Sequence, residues 1–139
     1  MPVPVCDVLV TDAPLALPIG APPAETGAIV DFWGVVRGTE GDAPIAGLRY
    51  EAHISMAEHQ LRTVAQECAQ RFELRQLLVH HRTGFVASGE ASLLVRVGSQ
   101  HRAEAFRASV WIVDELKKRV PIWKHPVPVS AAAPAPIMA

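Results

Sequence analysis

The chain has 139 residues, half of them hydrophobic and 19% charged, which is the size and composition of one globular domain with a buried core. A formal net charge of −1 excludes a whole-molecule field that would attract nucleic acid or an anionic membrane. No apolar run approaches the ~18 residues of a membrane helix, the N-terminus lacks a signal-peptide pattern, and two cysteines fit neither a disulfide framework nor a metal site. We therefore expect a cytoplasmic protein.

The predicted elements alternate between strands and helices. Strands are expected over residues 5–10, 27–36, 45–53, 73–82 and 91–99, and residues 122–124 should be extended. A short helix could begin at Thr11 or Asp12, and residues 18–26 and 37–44 read as loops. A long amphipathic helix, capped by Ser55, follows the third strand. A second runs over Arg102–Arg119 and ends before Pro121.

This order predicts an α+β fold with a mixed sheet and two long amphipathic helices in a single domain, residues 1–125. Residues 126–139 are rich in proline and alanine and carry no charge, so we expect a flexible tail. No glycine-rich phosphate loop follows a strand, so nothing indicates a nucleotide-binding motif.

The start of the second helix carries His101 and Arg102. Free N–H groups and the positive end of the helix dipole attract anions there, whereas a cation such as Arg102 slightly weakens the helix. This pattern predicts a phosphate-binding site. The alternative is a loop histidine beside an exposed arginine.

The end of the same helix carries two lysines on different faces. At ~100° per residue, Lys117 lies at the edge of an apolar stripe and Lys118 points nearly the opposite way. Burial beside apolar groups disfavours a charged ammonium, which would make Lys117 a usable acid, base or nucleophile. The alternative is that both lysines only complement the helix dipole and reach water. The stripe comprises Ala105, Phe106, Ser109, Val110, Val113 and Leu116.

Other polar residues give weaker indications. Lys124 alternates with Trp123 in an extended segment, and Arg37 ends a strand, where functional side chains often lie. Both could equally be surface cations. His80 and His81 are adjacent in a strand and face opposite ways, so they cannot easily share a metal ion. We expect no metal site.

Taken together, five segments in order resemble the large, catalytic subunit of molybdopterin synthase. They cover roughly residues 27–124 and combine a glycine-containing strand, two His-Arg pairs and the lysines with their following Ile-Trp-Lys. The segments are Gly27–Arg37, Leu48–Ala52 with Met56–Glu58, His81–Gly84 with Gly89–Glu90, Ser99–Phe106, and Leu116–Lys117 with Pro121–Lys124.

The resemblance implies an α/β hammerhead-type fold and a homodimer. Each end of that dimer binds a small ubiquitin-like sulfur carrier, which makes a heterotetramer. The carrier's C-terminal Gly-Gly, as a thiocarboxylate, enters a pocket and delivers sulfur to cyclic pyranopterin monophosphate, forming the dithiolene of molybdopterin. The family's sulfurtransferase activity, in molybdenum cofactor biosynthesis, needs no metal or other cofactor.

The resemblance also implies roles for particular residues. Lys117 is expected as general acid/base or transient covalent partner, and Lys124 as a second catalytic residue that, with Arg37, orients substrate and stabilises charge. His101 and Arg102 would reach the site of the other subunit. The remaining substrate-binding residues implied are Val35, Val36, His125 and Pro126.

One departure from the family pattern concerns the chain after Lys124. The family continues with a cation, an acid and a longer ordered tail, whereas this chain continues with His125-Pro126. Its contacts with the carrier could therefore differ, and a carrier-binding protein without turnover is the alternative function. A small nucleic-acid-binding domain is disfavoured by the near-neutral charge and the lack of an aromatic stacking pattern.

Overall fold

A computed structural model describes residues 5–129. Its ten elements form two sheets and two helices, which confirms the predicted α+β class and single domain. In chain order they are β1 (Val5–Thr11), β2 (Ala28–Val35), β3 (Thr39–Glu40), β4 (Ala43–Ala52), α1 (Ile54–Arg71), β5 (Gln76–Arg82), β6 (Gly84–Ala87), β7 (Ala91–Ser99), α2 (Arg102–Arg119) and β8 (Ile122–Pro128).

The first sheet is mixed and has the strand order β1-β5-β7-β2. β1 and β5 are parallel, which the crossover through α1 permits, whereas β7 is antiparallel to both β5 and β2. One face of this sheet carries the main core together with the two helices, and buried side chains such as Leu77, Val79, Val95 and Val97 belong to it. β2 is one of the two edge strands, and its outer side is unpaired within residues 5–129.

Helix α1 packs as its periodicity predicts. Leu61, Val64 and Cys68 are fully or almost fully buried at helical spacing. The N-cap is His53 rather than the predicted Ser55, because the His53 ring Nδ1 accepts the backbone N–H of Met56 at 3.4 Å.

Helix α2 has the predicted bounds but a different buried face. Its core residues are Ala105, Ala108, Ser109, Ile112 and Leu116. The predicted stripe also contained Phe106 and Val110, which are instead 58% and 64% exposed. Apolar periodicity alone does not show which part of an apolar surface is buried. In α2 the small side chains of Ala105 and Ala108 are on the side that packs against the sheet.

The second sheet is built around β4, which pairs with β3, β6 and β8. β8 lies along the side of β4 opposite β6. A close approach requires Gly47 in the central strand, since a Cβ there would lie 2.8 Å from ring carbons of Phe85 and collide with the Val86 carbonyl. Strands β3 and β6 were not predicted, because each is short and lies beside turn residues such as Gly41 and Gly84.

Two further predictions need correction. No helix begins at Thr11 or Asp12, since the Thr11 hydroxyl accepts the N–H of Ala13 at 3.1 Å and closes a local turn. The predicted tail starts too early, because β8 continues to Pro128, and proline is tolerated on an edge strand. Residues 130–139 of that tail lie outside the described residues.

Within residues 5–129, neither helix is both long and apolar enough to cross a bilayer.

Candidate functional site

A cleft of about 760 Å³ lies where the end of β2, the last turns of α2 and the second sheet meet. Its walls combine apolar side chains with three cations and a small polar cluster. The residues lining it are Phe32, Trp33, Gly34, Val35, Val36, Arg37, Glu40, Ile45, Leu48, Tyr50, Leu61, His81, Ser92, Leu93, Val113, Leu116, Lys117, Val120, Ile122 and Lys124.

The fold brings Arg37, Lys117 and Lys124 to this one cleft from three distant parts of the sequence. Lys117 is in the last turn of α2, which the N–H of Val120 closes by donating to the Leu116 carbonyl at 3.1 Å. Lys124 pairs in register with Tyr50, so both share the cleft face of the second sheet.

Lys117 and Lys118 point in different directions, as their positions along the helix predict. Lys118 faces solvent, where its Nζ lies 3.6 Å from Glu115. Lys117 lines the cleft but is exposed in the single chain, not half buried as expected. It lies beside Val113, which packs partly against the main core, and on the same side of α2 as the exposed Phe106 and Val110.

The cleft has an excess of positive charge. Glu40 is the one carboxylate among the lining residues, and its Oε1 lies 3.9 Å from Lys124 Nζ. No carboxylate of residues 5–129 forms an ion pair with Arg37 or Lys117. Such a site suits an anion carrying more than one negative charge, such as a phosphate beside a carboxylate-like group.

The backbone beneath Arg37 is fixed by the turn between β6 and β7. Val36 donates its N–H to the Glu90 carbonyl at 2.9 Å and accepts the N–H of Gly89 at 2.8 Å. The Ser88 hydroxyl lies 3.1 Å from the Arg37 carbonyl. These bonds hold the predicted Val35–Arg37 segment, and Val35 and Val36 both line the cleft.

The cleft also contains a polar cluster that the sequence did not predict. The Tyr50 hydroxyl donates to Ser92 Oγ at 3.0 Å, and Ser92 Oγ lies 3.4 Å from the Gly34 carbonyl. The ring of His81 meets that of Tyr50 edge to face at 5.1 Å between centroids. Strand alternation correctly predicted that His80 and His81 face opposite ways. The contact between Tyr50 and His81 could not be predicted, because it depends on how β4 of the second sheet lies against β5 of the first.

His81 is the member of this cluster whose pKa is shifted. Burial lowers the pKa of its imidazole, and a hydrogen bond to the Arg82 carbonyl opposes that shift in part. The Nδ1–O distance of this bond is 2.7 Å. The ring is therefore neutral at pH 7.

His101 and Arg102 are outside this cleft. Both are exposed at the start of α2, and with a rise of 1.5 Å per residue the Cα atoms of Arg102 and Lys117 are about 22 Å apart. Within one chain, the two ends of α2 therefore belong to separate regions of the surface.

His125 and Pro126 also fall outside the cleft lining. Strand alternation turns His125 away from Lys124, and its Nε2 lies 3.0 Å from Glu51 Oε1. Pro126 is exposed and pairs in register with Leu48. Across residues 5–129, no three His, Cys, Asp or Glu side chains come close enough to hold a metal ion.

Comparisons with known proteins agree on one family. The family model described as MoaE protein matches residues 11–119. A molybdopterin synthase catalytic subunit from Pyrococcus abyssi is 43% identical over 104 residues, which are 75% of this chain and 70% of the relative. The chain spans only about half the length of several eukaryotic relatives of the same name.

Solved structures share the fold. That of molybdopterin synthase from Staphylococcus aureus is 32% identical with a TM-score of 0.72, covering 76% of this chain and 77% of that one. A complex of subunits 1 and 2 of molybdopterin-converting factor from Helicobacter pylori gives a TM-score of 0.62 at 24% identity, covering 73% and 66%. At that lower identity the likeness is one of fold.

Proposed function

Because the chain belongs to the MoaE protein family, we propose that it is the catalytic subunit of molybdopterin synthase, a sulfurtransferase of molybdenum cofactor biosynthesis. The observation that carries this proposal is the convergence of Arg37, Lys117 and Lys124 on one cleft. In this proposal, sulfur passes from the C-terminal thiocarboxylate of a small carrier protein to cyclic pyranopterin monophosphate. We place the reaction in the cytoplasm, where the free thiols of Cys6 and Cys68 would persist.

The three cations have distinct parts in the proposed reaction. Arg37 lies two residues after β2 and presents a planar, bidentate donor that suits the substrate phosphate. Lys124 is held near Glu40 and supports the thiocarboxylate as charge moves between sulfur and oxygen. Lys117 has no described carboxylate partner, so its ammonium is available to donate a proton. After losing a proton, its neutral amine could instead attack the acyl carbon of a carrier–pterin thioester, releasing the sulfur as a thiolate on the pterin and leaving an acyl-lysine that water hydrolyses.

The carrier is proposed to insert its tail into this cleft. An extended Gly-Gly segment has no side chains, so its backbone can approach the walls closely. Exposed Phe32 and Val35 at the unpaired edge of β2 give the tail an apolar approach that leads toward the cations.

A second copy of the chain is proposed to complete the site. Arg102, Phe106, Val110, Val113 and Lys117 lie within about 80° of one another around α2, on the flank away from α1. Two such flanks packed antiparallel about a two-fold axis would bury Phe106 and Val110. They would also bring His101 and Arg102 of one copy toward Lys117 of the other, and with two carriers the assembly would be a heterotetramer.

The proposal is tested by reconstitution with purified components. The full chain is mixed with thiocarboxylated carrier and cyclic pyranopterin monophosphate, and dithiolene product is followed by mass spectrometry while carrier binding is measured by calorimetry. We expect product that depends on the thiocarboxylate, with carrier ending in a plain carboxylate as the control. Carrier binding without product would instead support the non-catalytic alternative, which the divergent His125-Pro126 segment motivates.

A further inference from the structure

We propose that His81 is a further substrate-positioning residue of the cleft, whose Nε2 accepts a hydrogen bond from an N–H group of the pterin. This inference rests on the proposed function, since it concerns how the same cleft holds the same substrate. Two observations carry it: the fixed orientation of the ring, and the Nε2 atom without a partner among residues 5–129 on a side chain that lines the cleft.

The contacts of His81 determine which ring nitrogen holds the proton. Nδ1 lies 2.7 Å from the carbonyl oxygen of Arg82, and a carbonyl can only accept. Nδ1 must therefore carry the hydrogen, which leaves a lone pair on Nε2. Nε2 forms no hydrogen bond with a residue of the described chain, and His81 is one of the residues that line the cleft.

The surroundings of His81 keep the ring uncharged. Burial lowers the pKa of His81, so the neutral ring is the favoured form near pH 7. The charged or titratable groups facing this cleft are Arg37, Glu40, Tyr50, Lys117 and Lys124.

The ring is also held in place. Tyr50 meets it edge to face, and the Tyr50 hydroxyl is itself fixed by Ser92. A histidine restrained on one side by a backbone carbonyl and on another by an aromatic ring presents its lone pair in one direction, which is what a positioning group requires.

The chemistry of the substrate calls for such an acceptor. Arg and Lys side chains are hydrogen-bond donors only, so they can hold a phosphate but cannot bind N–H groups. A reduced pterin carries several ring and amino N–H groups besides the phosphate. A neutral imidazole nitrogen in the cationic cleft would satisfy one of them and select the orientation of the ring system.

Two amide variants separate this role from a structural one. His81→Asn can keep a donor near the Nδ1 position and so the bond to Arg82, but it loses the acceptor. His81→Gln places an acceptor near the Nε2 position and loses the bond to Arg82. We expect the Kd for cyclic pyranopterin monophosphate to rise about tenfold or more in His81→Asn and by no more than about threefold in His81→Gln.

A merely structural His81 would give the reverse order, with His81→Asn close to wild type, and that result would overturn the inference. Thermal unfolding of both variants shows whether they fold. If neither does, ¹⁵N NMR of the wild-type ring is decisive: we expect Nε2 to be unprotonated and to shift when cyclic pyranopterin monophosphate is added. A protonated Nε2, or no shift on binding, would overturn the inference.

The pH dependence provides a second readout. Wild-type binding should weaken as pH falls through the lowered pKa of His81, because a protonated Nε2 can no longer accept a hydrogen bond from the pterin. His81→Gln should lack this limb. If the wild-type chain binds the pterin but makes no product with carrier, the proposed sulfur transfer is excluded and the role of His81 in binding is not. If the wild-type chain makes product and both variants bind the pterin equally well, only the role of His81 is excluded.

Discussion

The Ser88 hydroxyl lies 3.1 Å from the carbonyl oxygen of Arg37, although the two residues are 51 positions apart in sequence. The same hydroxyl lies 3.0 Å from the carbonyl of Ile45. One side chain in the β6–β7 turn thus ties the end of β2 to β4 beside the cleft. The backbone of Arg37 is thus held by a residue that does not line the cleft.

Removing this hydroxyl should weaken both folding and substrate binding. Ser88→Ala leaves two backbone carbonyls without this donor, so we expect the free energy of unfolding to fall by about 0.5–1.5 kcal/mol. The KM for the pterin should rise several-fold while kcat changes little, since Arg37 is proposed to bind the substrate phosphate. Chemical denaturation and steady-state kinetics measure the two effects.

Thr63→Ala is the matched control for Ser88→Ala. The Thr63 hydroxyl also donates to a backbone carbonyl, that of His59 at 3.0 Å, but it lies on the exposed side of α1. This variant should leave KM unchanged. An equal rise in KM for both variants would contradict the positioning of Arg37 by Ser88.

The two ends of α2 should cooperate between subunits and not within one. Arg102→Ala and Lys117→Ala should each reduce sulfur transfer strongly when assayed alone. In a randomly mixed population, half the dimers combine the two variants, and each of those has one intact site. We therefore expect mixing to restore about a quarter of wild-type activity, measured after exchange of subunits under mild denaturant.

The same mixing experiment can also exclude the proposed two-fold arrangement. If Arg102 and Lys117 served the same site within one chain, every site in the mixture would retain one defect. Activity no greater than that of the separate variants would then exclude the proposed two-fold arrangement. Doubly substituted chains mixed with wild type control for exchange itself.

The sequence predicted the parts of the fold that depend on local pattern. Both long helices follow from apolar spacing, and α2 runs from Arg102 to Arg119 as expected. Pro121 also predicted where α2 ends, and strand alternation predicted that Lys124 and Trp123 face opposite ways. Such features need only the neighbours within one or two turns of chain.

Features that depend on distant partners were missed. Phe106 and Val110 belong to the apolar pattern of α2, but periodicity does not tell a face buried in the core from one left open for another subunit. The Tyr50–Ser92 hydrogen bond requires knowing how β4 lies against the first sheet. The family resemblance, in turn, carried residues such as His125 whose position in this chain lies outside the cleft.

Stability should decline in alkaline solution because of Cys68. Burial raises the pKa of this thiol to about 12 from 9.0, and neighbouring Cys6 adds to the shift. Between these values the unfolded chain ionises Cys68 while the folded chain does not, so unfolding becomes easier as pH rises above about 9. Cys68 is fully buried, and its contribution approaches at most about 1.4 kcal/mol per pH unit.

The comparison with Cys68→Ala isolates this effect. The variant is less stable near pH 7 because it leaves a small cavity, but its free energy of unfolding should fall less steeply with pH from about 9 upward. Urea denaturation across that range gives both slopes. Parallel curves for wild type and variant would show that Cys68 does not titrate as described.

Two adjacent lysines of α2 test whether sulfur transfer takes place in the cleft beside Lys117. Lys118 is the matched control, since it shares the last turn of α2 but faces solvent near Glu115. In the reconstituted reaction, Lys117→Ala should reduce the rate of dithiolene formation by about 100-fold or more, whereas Lys118→Ala should stay within about twofold of wild type. Equal rates for the two variants, with carrier still bound, would contradict the account.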